Sequence, residues 1–159
     1  MKLWMAPAGL HIEPGCVKDA GQLAKLHAGA FFRGWPAPEF AAFLNDPHST
    51  PAYIACDPKR RTVGFAMLRL ADDEAELLTI VVAPKWRGKG VGAALMRATL
   101  QDLLMTPVRR MFLEVEDTNK PAIALYNGLG FVEIAQRTGY YQKPEGEPAT
   151  ALVMRCDFD

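Results

Sequence analysis

A short glycine-rich segment is the part of the sequence whose residue types point most directly to chemistry. It reads Trp86-Arg87-Gly88-Lys89-Gly90-Val91-Gly92-Ala93, and it separates a strand pattern that ends at Val82 from a helical pattern. The unpaired N–H groups at the start of a helix attract anions, as does the helix dipole, and glycines let a phosphate approach the backbone. Arg87 and Lys89 add positive charge nearby. The segment therefore predicts a phosphate-binding loop.

Two familiar phosphate-binding patterns fit this loop poorly. The Walker A pattern G-x-x-x-x-G-K-[ST] fails, because Lys89 is followed by Gly90 rather than by Ser or Thr. The dinucleotide pattern G-x-G-x-x-[GA] is matched by Gly88, Gly90 and Ala93. It expects its first glycine directly after the strand, however, and here the stretch Ala83–Arg87 intervenes.

A third pattern, [QR]-x-x-G-x-[GA], is matched by Arg87, Gly90 and Gly92 with no such obstacle. This third pattern resembles the pyrophosphate loop of the GNAT acetyltransferases, which bind coenzyme A. An ordinary turn before a helix would account for one glycine, but hardly for three within five positions. The third pattern is therefore favoured.

Three polar residues in the second half of the chain have types that suit acyl transfer to an amine. Glu114 alternates with apolar neighbours in a strand pattern, Asn119 precedes Pro121 at a helix start, and Tyr126 lies on the apolar stripe of that helix. Each would also fit a structural role, as an exposed strand residue, a helix cap and a core residue respectively. In acyl transfer, a carboxylate can deprotonate an amine and a tyrosine hydroxyl can protonate the departing thiolate.

These two regions together resemble the acetyltransferases of the GNAT superfamily. The superfamily combines the [QR]-x-x-G-x-[GA] loop with a strand that ends in a polar loop containing Asn, and then a short helix that closes in A-x-x-L-Y-x-x-x-G-F, here Ala122–Phe131. The likeness runs from Glu74 to Tyr141. More narrowly it resembles the RimI group, bacterial enzymes that acetylate the N-terminal alanine of a ribosomal protein. The resemblance implies that acetyl-CoA is the co-substrate.

The resemblance also implies a role for each matched position. Glu114 would be the general base and Tyr126 the general acid. Asn119 would bond the cofactor, while Tyr140 and Tyr141 would shape the entrance for a peptide. Backbone groups would serve the thioester and the pantetheine at Ile80, Val81 and Val82. The pyrophosphate loop would comprise Arg87, Gly88, Lys89, Gly90, Val91, Gly92 and Ala93.

The acceptor amine is the least constrained part of the prediction. The resemblance favours a protein N-terminal α-amine, whose pKa of about 8 suits a carboxylate base acting through water. Two alternatives stay open. One is the acetylation of a small-molecule amine of the polyamine or aminoglycoside type, and the other is a non-catalytic module that binds CoA or a nucleotide. The segments 31–40 and 137–148 should carry the difference.

The pattern along the chain predicts elements in the order β α α β β β α β α β β. Short turns join strands at Ala52–Cys56, Thr62–Leu70 and Glu74–Val82 into an antiparallel meander, and a strand–loop–helix–strand unit follows. We therefore expect an α/β protein with the GNAT fold, in which a mixed, twisted sheet of six or seven strands carries about four helices in a single domain over residues 1–159. Glu74–Val82 and Met111–Val115 should be parallel neighbours that splay apart to admit the cofactor.

The composition of the chain argues against several other classes of protein. The chain has 18 basic and 18 acidic residues, a balance that does not indicate a nucleic-acid binder, and it has no stretch apolar enough for a membrane span. Three widely spaced cysteines do not form a disulfide framework, which predicts a cytoplasmic protein. Ser49 is the only serine, so no G-x-S-x-G nucleophile is present, and the histidines lack metal-ligand spacing. We expect no metal, and either a monomer or a homodimer.

Overall fold

The chain forms one eight-stranded mixed sheet with helices on both faces. The computed structural model describes residues 2–31, 33–141 and 149–158, with the backbone alone for residues 139–141 and 149. The strands are β1 (Trp4–Met5), β2 (His11–Pro14), β3 (Ala52–Cys56), β4 (Thr62–Ala71), β5 (Glu74–Val82), β6 (Arg110–Glu116), β7 (Val132–Tyr141) and β8 (Ala149–Asp157). The helices are α1 (Ala20–Ala30), α2 (Ala37–Leu44), α3 (Val91–Leu103) and α4 (Lys120–Gly128).

The strand order across the sheet is β1-β2-β3-β4-β5-β6-β8-β7. Strands β3 to β5 form the predicted antiparallel meander, and β5 and β6 form the predicted parallel pair. Strands β1 and β2 extend the meander with further antiparallel pairs. A bulge in β5 leaves Leu78 without an opposite residue, since Met67 pairs with Thr79 and Leu68 pairs with Leu77. This bulge lies where β5 begins to separate from β6.

The sheet has more strands than the six or seven that the sequence predicts. The additional strand is β1, which is only two residues long and pairs with β2 at the edge of the sheet. Two residues cannot display the alternation of apolar and polar positions by which a strand is recognised. The first helix begins with a 3₁₀ turn at Val17–Asp19.

Two hydrophobic cores lie on the two faces of the sheet. The α3–α4 core includes Leu95, Met96, Leu113, Val115 and Tyr126. The α1–α2 core includes Leu23, Phe40, Leu44, Phe65, Met67 and Val81. Because successive side chains of a strand point to opposite faces, the place of Leu113 and Val115 in the first core puts Glu114 on the face that carries α1 and α2. Among the described residues, no helix is both long enough and apolar enough to cross a membrane.

Candidate active site

The glycine-rich segment forms the predicted loop between β5 and α3. Gly88 and Gly90 have φ angles of 74° and 83°, in the left-handed region that suits glycine, and Gly90 is the residue that caps α3. Among the described residues, no side chain caps the first N–H groups of the helix, so these groups point to where an anion could bind. The Nε of Arg87 donates to the carbonyl oxygen of Val82 at 3.0 Å, which ties the loop to the end of β5.

A cleft opens between β5 and β6, as the sequence predicts. The two strands pair only at Glu74–Glu76 against Arg110–Phe112, and beyond that point neither strand pairs with the other. The backbone of β5 from Leu77 to Val82 pairs with β4 on one side and faces the cleft on the other. Near its end lies a cavity of about 250 Å³ between Lys25 and Leu26 of α1 and the stretch Val81–Pro84, with Arg87 at its edge.

Glu114 lies in the middle of β6, opposite Val153 of β8, on the face that carries α1 and α2. Its side chain is 23% exposed, and its Oε1 lies 3.2 Å from the Nε of Arg137 on β7. The carboxylate is therefore accessible and held by an ion pair. Its position beside the cleft fits a base, whereas an ordinary solvent-facing strand residue would be more exposed.

Tyr126 is fixed by the end of α4. Gly130 has a φ angle of 98° and ends the helix as predicted, while the N–H groups of Gly130 and Phe131 donate to the carbonyl oxygens of Asn127 and Tyr126 at 3.1 and 3.0 Å. The Phe131 and Tyr126 rings pack edge to face with centroids 5.9 Å apart. Burial raises the pKa of Tyr126 to about 12. The hydroxyl is therefore protonated at neutral pH, as a general acid must be.

Asn119 has the structural role that its position before Pro121 indicates. Its Oδ1 accepts a hydrogen bond from the N–H of Ala122 at 3.3 Å, so it caps α4. The cap uses only the amide oxygen, and the amide NH₂ group keeps its two donors. Cofactor binding by Asn119 stays a prediction, and the side chains of Tyr140 and Tyr141 lie outside the described residues.

Comparison with known proteins bears on this site directly. Residues 21–131 match the acetyltransferase (GNAT) family. The chain belongs to the GNAT acetyltransferase family. It is 37% identical over 138 residues to the [ribosomal protein bS18]-alanine N-acetyltransferase of Haemophilus influenzae, which covers 87% of this chain and 92% of the relative. It is 34% identical over 145 residues to the N-alpha-acetyltransferase RimI of Mycobacterium tuberculosis, which covers 87% of each chain.

Solved structures agree with this GNAT assignment. The crystal structure of the ribosomal-protein-S18-alanine N-acetyltransferase from Escherichia coli superposes with a TM-score of 0.85 and 27% identity over 93% of both chains. A structure of Arabidopsis thaliana NAA60 in complex with acetyl-CoA shares the fold, with a TM-score of 0.82, 19% identity and coverage of 94% of this chain and 98% of that one. The eight-stranded sheet is thus a GNAT fold, and the chain is an acetyl-CoA-dependent N-acetyltransferase.

The loop between α1 and α2 of this GNAT acetyltransferase is held by an aromatic cluster that the sequence does not reveal. His27 is buried and its ring stacks on Phe31 and Trp35, with centroids 4.4 and 4.5 Å away. Its Nδ1 accepts a hydrogen bond from the backbone N–H of Trp35 at 3.1 Å. Burial lowers the pKa of His27 to about 4, so the ring is neutral. The cluster fixes the end of α1 against the loop that leads to α2.

One group of metal-ligand types also lies outside the GNAT cleft. His11, Glu13 and Cys56 offer ligand atoms within 4.8 Å of one another on neighbouring strands, a proximity that their separation in sequence conceals. The Nε2 of His11 already bonds Glu13 at 2.8 Å, and the other carboxylate oxygen of Glu13 pairs with Arg60. Arg60 also pairs with Asp19, so a positively charged side chain already lies beside this group. This arrangement explains the cluster without a metal.

Proposed function

We propose that this acetyltransferase transfers the acetyl group of acetyl-CoA to the N-terminal α-amine of a protein, with the N-terminal alanine of a ribosomal protein as the first candidate. The observation that carries the acceptor is the likeness to the bS18-alanine acetyltransferase of H. influenzae, which extends over 92% of that protein and so includes the regions outside the cofactor motifs. The α-amine is also easier to deprotonate at neutral pH than a lysine side chain, since its pKa of about 8 is lower than that of lysine.

In the proposed complex the cofactor lies in the cleft between β5 and β6. The pyrophosphate rests on the free N–H groups at the start of α3, where the left-handed Gly88 and Gly90 present the backbone without a side chain. The pantetheine arm follows the backbone of Ile80–Val82, which has no strand partner on the cleft side. The amide NH₂ of Asn119 bonds the cofactor from the β6 side of the cleft.

The chemical step follows from the placement of two side chains on opposite faces of the sheet. Glu114 lies on the face that carries α1 and α2, whereas Tyr126 belongs to the α3–α4 core. A thioester held in the gap would therefore have the base on the side where the amine arrives. The acid would lie on the side where the thiolate departs. Glu114 accepts the proton of the amine, and the amine nitrogen forms the new bond to the acetyl carbon. The bond from that carbon to the sulfur breaks, and Tyr126 protonates the departing thiolate.

We also propose that the protein works in the cytoplasm, as a monomer or a homodimer. Cys16, Cys56 and Cys156 form no disulfide among the described residues, which agrees with a reducing compartment.

An acceptor panel tests this function. Acetyl-CoA is offered with peptides that differ in their first residue, one of them beginning with alanine, and separately with polyamines and aminoglycosides. We expect peptides with a free α-amine to consume acetyl-CoA, and the same peptides with a blocked N-terminus to be inert. Consumption by the small amines alone would overturn the acceptor proposal and leave the family assignment in place. Calorimetry with acetyl-CoA, ATP and NAD checks the cofactor independently.

A further inference from the structure

A buried polar side chain of β5, Thr79, lies near the cleft. Thr79 on β5 is 6% exposed, and its hydroxyl oxygen is buried with no hydrogen-bond partner among the described residues. Buried side-chain oxygens in folded proteins almost always have a partner, and an exception commonly marks a water or a ligand. The second threonine buried in a helix or strand, Thr99, follows this rule, because its hydroxyl donates to the carbonyl oxygen of Leu95 at 2.8 Å.

The bulge in β5 determines which way Thr79 points. Thr79 lies opposite Met67 of β4, and Val81 lies opposite Phe65. Directly opposite residues of an antiparallel pair share a face of the sheet, and Met67 and Phe65 both belong to the α1–α2 core. Thr79 therefore lies on the face that carries α1 and α2, which is also the face of Glu114.

Thr79 is also level with Glu114 along the diverging strands. The last pair that joins β5 to β6 is Glu76 with Phe112. Glu114 lies two positions beyond Phe112. On β5 the bulge counts Leu78 and Thr79 as one position, so Thr79 likewise lies two positions beyond Glu76. The hydroxyl and the carboxylate thus flank the opening of the cleft on its α1–α2 side.

We propose that Thr79 is a positioning residue, whose hydroxyl anchors the water through which Glu114 takes the proton from the acceptor amine. This inference rests on the proposed function, since it assigns a partner to the proposed base. The water donates to the Glu114 carboxylate and accepts the proton of the amine as the nitrogen attacks the acetyl carbon. Net transfer moves one proton from nitrogen to the carboxylate. A threonine hydroxyl can donate and accept at once, and so it can hold this water in both states.

The test compares Thr79→Val, which removes the hydroxyl and keeps the shape, with Thr79→Ser, which keeps it. We expect Thr79→Val to lower kcat about tenfold, the scale of one lost hydrogen bond, with unchanged KM for acetyl-CoA and for the acceptor. We expect Thr79→Ser to retain most of the wild-type kcat. Thr99→Val is the matched control, because it removes a buried threonine hydroxyl from α3, and it should leave kcat unchanged. Wild-type kcat in Thr79→Val would overturn the proposal.

A double variant separates this proposal from the function on which it rests. If Thr79 acts through Glu114, adding Thr79→Val to Glu114→Gln should lower kcat little further, since both changes disable one proton transfer. A full tenfold additional loss would overturn the relay. An enzyme that acetylates only small amines refutes the acceptor proposal alone, and the Thr79 variants are then measured with the amine that is consumed.

A crystal structure of the protein with coenzyme A supplies a readout that does not depend on activity. We expect a water within hydrogen-bond distance of both the Thr79 hydroxyl and the Glu114 carboxylate, and we expect it to be missing in Thr79→Val. A Thr79 hydroxyl that bonds only to a backbone carbonyl, with no water beside it, would overturn the proposal.

Discussion

At the scale of single residues, Glu114 is the first side chain to test for a chemical role. We expect Glu114→Gln to lower kcat by roughly 10²–10⁴-fold, because the amide cannot accept a proton, while affinity for acetyl-CoA changes little. Initial rates with an acetyl-CoA concentration series measure both. Glu133→Gln is the matched control, since that carboxylate is exposed on β7 and bonds only Gln136 among the interactions that the structure shows. Wild-type turnover in Glu114→Gln across pH would contradict the assignment, and Glu116 would be the next candidate.

Tyr126→Phe tests the acid. The change removes only a hydroxyl, so the edge-to-face packing on Phe131 should persist and the melting temperature should stay close to that of the wild type. We expect kcat to fall with little change in KM. The pKa of about 12 adds a condition on the wild-type enzyme. Ionisation of Tyr126 should not limit the rate near pH 10, where an ordinary tyrosine ionises. A basic limb of the kcat profile centred near pH 10 that disappears in Tyr126→Phe would contradict this.

At the scale of elements, the loop before α3 depends on backbone conformation more than on side-chain volume. A Cβ added to Gly90 would meet nothing closer than the Cγ of Pro7 at 3.6 Å, but the φ angle of 83° is strained for any other residue. We expect Gly90→Ala to weaken acetyl-CoA binding in calorimetry by about fivefold or more, since a strain of about 1 kcal/mol or more is relieved by moving the loop. Gly21→Ala in α1 is the control, because its added Cβ meets nothing within 4 Å.

The packing of His27 beside the loop between α1 and α2 should make the free energy of unfolding depend on pH. The pKa of His27 is about 4 when folded, against 6.5 for an ordinary histidine, so the unfolded chain binds the proton first as the pH falls. The contribution of the neutral ring is therefore complete above pH 6.5 and is lost between about pH 6.5 and pH 4, by up to about 3 kcal/mol. Urea unfolding of the wild type and His27→Gln at several pH values measures the difference. Parallel pH dependences in the two proteins would contradict the prediction.

The sequence predicted the elements that carry chemistry better than the elements that only complete the sheet. Glycines specify the loop at Arg87–Ala93 and the end of α4 at Gly130, and these glycines have positive φ angles in the structure. A glycine can be seen in a sequence. The two-residue β1 and the bulge at Leu78 are specified by pairing with β2 and β4, which local patterns do not reveal. Thr79 escaped notice for the same reason, since its face depends on the bulge.

At the scale of the whole molecule, the structure brings together groups that are distant in sequence. Arg137 on β7 reaches Glu114 on β6 across β8, which lies between the two strands, and this strand order was not predicted. The Asp19–Arg60–Glu13 ion cluster joins α1, the turn before β4 and β2 in the same way. Charges in isolation give no indication of such partners, so the surroundings of the site had to come from the structure.

The short junction between β5 and β6 has a mechanical consequence. Three residue pairs form the strand pairing between a five-stranded half-sheet and a three-stranded one, and the two strands separate beyond Glu76. A cofactor that bonds both β5 and β6 would hold the two half-sheets together. The substrate would therefore also stabilise the fold. We expect saturating acetyl-CoA, at about 100 times its Kd, to add about 2.7 kcal/mol to the free energy of unfolding. Hydrogen exchange should slow most along Leu77–Val82. Depletion of acetyl-CoA would then shorten the lifetime of the folded enzyme and also lower its rate of acetylation.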